Sequence, residues 1–132
     1  MLFRSVPEGM DERYRASFRK MVDMIGELHR SGVTVVAGTD GLAGFTLHRE
    51  LELYAQAGIA PKDVLRIATL TAAHVAKRDE DLGTIEAGKL ADFILVDGDP
   101  TANISDIRKV TMVVKDGRVF RPAEIYAELG IR

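Results

Sequence analysis

One carboxylate in the chain stands where chemistry is done. Asp40 closes the apolar run Val33-Thr34-Val35-Val36-Ala37 and sits between Gly38 and Gly41. An acid at the end of an apolar strand, on a loop that glycines allow to turn sharply, can bind a metal ion or move a proton. The other ionisable candidates are weaker. His48 and Glu50 lie two apart and do not share a helical face. His48 could project toward a substrate, but it also fits a helix N-terminal residue making local hydrogen bonds. A glycosidase pair of Glu50 and Glu52 would have to act from different faces of one helix, so both read as solvated or ion-paired. His29 and His74 have no metal-ligand spacing between them and read as surface or packing residues. The absence of cysteine excludes disulfides, thiolate metal sites and a cysteine nucleophile. The glycines from Gly38 to Gly44 are not followed by the Gly-Lys-Ser/Thr of a phosphate loop.

The elements that would hold Asp40 can be read on either side of it. Tyr14, Phe18, Met21, Val22, Ile25 and Leu28 recur at helical spacing, which predicts an amphipathic helix from Asp11 to Arg30 with that stripe buried and Gly32 as its stop. Val33–Ala37 reads as a fully buried strand of the parallel kind. A second helix is expected from about Leu47 to Ala57, with Thr46 as N-cap, Leu47, Leu51, Tyr54 and Ala55 inward, and Gly58 as its stop. A third begins at Pro61 and runs to about Ala76, its small residues suiting close packing. Beyond Gly83 the signals change to strands and turns. Thr84-Ile85 reads as a short strand piece, Ala87-Gly88 as a turn and Phe93–Val96 as a buried strand. Asp97-Gly98-Asp99-Pro100 is a dense turn signal. Asp116-Gly117, between Val110–Val114 and Arg118–Phe120, predicts a hairpin with a type I′ turn. Glu124–Leu129 reads as a short helix with Pro122 near its start.

Composition bounds the rest. The chain has 132 residues, 46% hydrophobic and 29% charged, with a net charge of −2. That is enough for one ordinary domain with a core. No basic block points to nucleic acid, no apolar run is long enough for a membrane span, and the N-terminus lacks the plan of a signal peptide, so neither a nucleic-acid nor a membrane partner is expected. The compartment is left open. Met1-Leu2-Phe3-Arg4-Ser5 has no role in this plan and reads as foreign to the fold.

Two stretches resemble the amidohydrolase superfamily, in particular its imidazolonepropionase-like and prolidase-like metal-dependent hydrolases. One is Gly38-Thr39-Asp40 followed by Leu47–Leu53 and Ala57-Gly58-Ile59. The other, longer and more specific, is Leu82–Pro100. Val113–Val119 fits the closing hairpin. The resemblance covers most of residues 20–121. It implies an α/β fold in which this chain is the C-terminal part of a (β/α)8 barrel followed by part of a small β-sandwich. Residues 1–78 would be the last barrel elements, 79–121 the sandwich return and 122–132 a tail helix. On that resemblance Asp40 is both a ligand of a divalent metal, zinc in most members, with one or two ions bound, and the group that relays a proton from water to the leaving nitrogen. Asp92 would anchor a turn or strand start, and the Gly83–Asp99 string would be structural.

The same resemblance implies further ligands that this sequence does not contain: a His-x-His pair, two more histidines and often a carboxylated lysine. A catalytic zinc takes about three protein ligands, and a whole barrel about 250 residues. The expectation is therefore the C-terminal segment of a hydrolase acting on carbon–nitrogen bonds in a small amide, cyclic amide or dipeptide. It would be inactive alone and would need an N-terminal barrel segment in cis or in trans. Two other readings stay open: a non-catalytic interaction module or one half of a split barrel, and a small metal-free α+β binding domain.

Overall fold

The computed structural model describes residues 9–41 and 46–130. The first element is helix α1, Asp11–Arg30. Acids in its first turn and His29 and Arg30 in its last complement the helix dipole. It ends as the sequence requires. Gly32 takes φ +79°, and the N–H groups of Gly32 and Val33 bond back to the His29 and Leu28 carbonyls, which closes the last turn. Helix α2, Thr46–Gln56, stops by the same device at Gly58. Thr46 is itself helical rather than the cap before the helix; residues 42–45, where the glycine-rich loop was expected to continue, lie outside the described residues. Helix α3, Pro61–Arg66, passes into a π-helical turn, Ile67–Thr71, and then into α4, Ala72–Val75. The predicted single helix therefore carries a widened turn in its middle.

The second half is a three-stranded antiparallel sheet in the order β1-β2-β3. Strand β1, Phe93–Val96, pairs with β2, Val110–Lys115, and β2 with β3, Arg118–Phe120. A register shift at Leu95/Val96 bends the first pair. Asp116 and Gly117 both have positive φ, 51° and 72°, as a type I′ turn requires. A 3₁₀ turn, Ile104–Arg108, precedes β2, and α5, Pro122–Glu128, follows β3. Thr84-Ile85 forms no strand.

The core draws on both halves. Leu51 and Tyr54 of α2, Ile59, Val64 of α3 and Ile67 pack with Ile104 and Ile107 of the 3₁₀ turn. Val64 is wholly enclosed.

Four burial expectations are corrected. On α2, Leu51 and Tyr54 are buried as expected, but Leu47 is exposed. Val33–Ala37 forms neither helix nor strand and pairs with no strand among the described residues. Val35 and Ala37 pack against the core, while Val33 and Val36 are exposed. An apolar run is buried on both faces only where neighbouring strands lie beside it, and the only described strands form the antiparallel sheet. On α1, Val22 and Gly26 are buried, yet Tyr14 (53% exposed), Phe18, Met21 and Leu28 face outward. The contact of α1 with α2 is made near Gly26 and covers little of the stripe. In β1, Ile94 and Leu95 are exposed rather than buried.

Candidate functional site

Asp40 follows the segment 33–39, which forms no strand among the described residues, and is exposed. The segment has no strand ladder among the described residues, and α2 supplies partners to it. Glu50 Oε1 accepts hydrogen bonds from the Gly38 N–H at 3.1 Å and from the Tyr54 hydroxyl at 2.5 Å. The same hydroxyl lies 3.2 Å from the Val36 carbonyl oxygen. Thr39 Oγ1 donates to Thr46 Oγ1 at 3.0 Å and accepts from the Gly41 N–H at 3.1 Å. Burial, then the bond to Glu50 and its charge, hold the Tyr54 hydroxyl far above the ordinary tyrosine value, so it stays a donor.

Neither Gly38 nor Gly41 has a positive φ. A Cβ at Gly41 would lie 2.6 Å from Thr46 Cγ2, so Gly41 is required by close approach to α2, whereas a Cβ at Gly38 would meet open space.

The other candidates separate clearly. His48 is half-buried; burial first and the charge of Arg108 second lower its pKa, against a smaller opposing effect of Glu52. Glu52 is ion-paired as expected. Arg108 and Arg49 both bond its carboxylate, and its pKa falls to about 2, chiefly through Arg108. Glu50 departs from the expectation: it is neither solvated nor ion-paired but holds Gly38 and Tyr54, a role the sequence reading missed. His74 is exposed and pairs with Asp79 at 3.1 Å. Asp92 anchors the hairpin, accepting from the Asp116 N–H at 2.7 Å and from Lys115 Nζ at 2.6 Å.

A catalytic divalent metal needs about three protein ligands. Among the described residues no group of three His, Asp or Glu side chains is placed to hold one. The described residues do not make a metal centre by themselves. No helix among them is long and apolar enough to cross a membrane.

The model of the amidohydrolase family matches residues 11–120. The chain belongs to that family. Its relatives include the imidazolonepropionase of Thermoanaerobacter pseudethanolicus, 32% identical over 74% of this chain and 23% of the relative. The imidazolonepropionase of Geobacillus sp. strain WCH70 is 31% identical over 79% of this chain and 25% of the relative. Among solved structures, a Xaa-Pro dipeptidase with bound methionine in its active site superposes with a TM-score of 0.72 and 31% identity, over 76% of this chain and 25% of that one. This chain thus spans about a quarter of the length of the curated relatives it matches. The family match takes in both the Asp40 segment and the sheet.

Proposed function

We propose that this chain supplies Asp40, on the last strand of a (β/α)8 barrel, to the active site of a hydrolase that cleaves a carbon–nitrogen bond in a small amide, cyclic amide or dipeptide. The observation that carries the reading is Asp40 itself: an exposed carboxylate at the end of an apolar segment, inside the stretch that matches the family. In the reaction a water oxygen bonds to the carbonyl carbon and its proton passes to the Asp40 carboxylate. The carbon–nitrogen bond then breaks, and Asp40 returns the proton to the departing nitrogen. A divalent metal, zinc by family resemblance, would take Asp40 as one ligand. Its other ligands would come from a barrel segment joined in cis or supplied in trans.

The apolar surface favours such a completing segment. Val33 and Val36 lie exposed on the segment that carries Asp40, where neighbouring barrel strands would cover them. Residues 79–121 would then be the return of a β-sandwich, and the chain alone would be inactive.

The test is turnover of a dipeptide and N-acyl amino acid panel, with zinc content, by the chain joined to an amidohydrolase barrel segment. The same protein carrying Asp40→Asn serves as control. Bound metal with turnover that Asp40→Asn abolishes is expected. Full turnover in Asp40→Asn overturns the role of Asp40. A completed protein with neither metal nor turnover favours the second reading, a non-catalytic module whose exposed face binds a partner chain.

A further inference from the structure

We infer that Glu50 is a positioning residue for Asp40; the inference rests on the reading of Asp40 as the reacting carboxylate. Thr46, Glu50 and Tyr54 recur at intervals of four and therefore form one stripe along α2. Each meets the segment leading to Asp40: Thr46 bonds Thr39, Glu50 bonds the Gly38 N–H, and Tyr54 reaches the Val36 carbonyl. The stripe is a clasp that holds the segment against α2. Glu50 is its centre, because one carboxylate oxygen joins the segment to Tyr54.

The chemistry of Glu50 is not that of a residue kept for stability. Its second oxygen, Oε2, is buried and has no hydrogen-bond partner among the described residues. A buried acceptor without a donor is destabilising. What the carboxylate accomplishes is geometric. The Gly38 N–H lies two residues before Asp40, and fixing that peptide fixes the direction in which the chain enters Asp40. A reacting group displaced by about 1 Å loses on the order of a hundredfold in rate.

Two measurements test this. On the full chain, amide hydrogen exchange at Gly38 is compared with that at Val64, in wild type, Glu50→Ala, Glu50→Gln and Tyr54→Phe. Glu50→Ala should speed exchange at Gly38 by about tenfold while Val64 is unchanged. Glu50→Gln, which keeps an acceptor at Oε1, should retain protection and guards against a variant that merely unfolds. On the completed hydrolase, Glu50→Ala should lower kcat about 10- to 100-fold with KM and the shape of the pH profile unchanged, and Glu50→Gln should restore most of it. Unchanged Gly38 exchange in Glu50→Ala overturns the clasp, with or without turnover. Faster exchange with undiminished kcat overturns the positioning role. Failure of the underlying reading has its own signature: Asp40→Asn retains turnover, whatever Glu50 does.

Discussion

Arg108 grips Glu52 with two hydrogen bonds, 2.7 Å from Nε and 3.2 Å from Nη2, across a separation of 56 positions. The pair ties α2 to the 3₁₀ turn, so it fastens the half that carries Asp40 to the half that carries the sheet. The geometry is bidentate, and the Glu52 side chain is only 13% exposed.

The first prediction follows from the charge. In the fold Glu52 is lowered from its ordinary 4.5 to about 2, so the folded protein resists protonating it. Its contribution is complete above about pH 4.5 and is lost as the pH falls toward 2. Glu52→Gln should cost about 1–2 kcal/mol at pH 7. Urea titrations of both proteins across this range should show the difference narrowing from pH 4.5 downward. A gap that stays constant down to pH 2 contradicts the pairing.

A second prediction concerns Gly26. A Cβ there would lie 2.2 Å from the Ala57 carbonyl oxygen, a backbone atom that cannot swing aside. Gly26→Ala should therefore destabilise the chain by about 1–3 kcal/mol, despite alanine's better helix propensity. Chemical denaturation decides the sign. A stabilised variant would mean that α1 does not cross α2 here.

The hairpin offers a third. The Asp116 N–H and then Lys115 hold the Asp92 carboxyl below the usual carboxylate range. A depressed folded value gives stability above the ordinary aspartate range that is lost on acidification. Asp92→Ala should lower the melting temperature at pH 7 and flatten its fall toward acid. It should also speed amide exchange at Asp116, which distinguishes loss of the anchor from general loosening.

The fourth tests the core. Val64 has no exposed surface, and Val64→Ala should cost about 2–3 kcal/mol. Val119, half exposed on β3, should tolerate the same change within about 0.5 kcal/mol. Equal effects at the two sites would contradict the placement of the core.

Local signals in the sequence were read well where the physics is local. Gly32 and Gly58 end their helices because each adopts the positive φ that a helix stop requires, and Asp116-Gly117 turns as its dipeptide demands. The anchoring part of Asp92 was also legible, through the resemblance. What escaped depends on neighbours. The burial of Val33–Ala37 and of the α1 stripe is decided by what packs beside them, which no periodicity reports. The π-helical turn at Ile67–Thr71 carries no composition signal. The 3₁₀ turn did leave one: Asn103 caps it by accepting from the Ser105 N–H. The Glu50–Tyr54 half of the clasp could have been found from its spacing of four. The Gly38 half comes from twelve residues away and could not.

The place of Ile104 and Ile107 in the core has a consequence for synthesis. Tyr54 and Val64 leave the ribosome well before the isoleucines that cover them. At about 5–20 residues per second, Tyr54 waits roughly three to ten seconds for Ile107. During that interval α2 and α3 hold an uncovered apolar face. The nascent chain is therefore most open to chaperone capture, and most prone to cling to its neighbours, just before the Asn103 cap emerges.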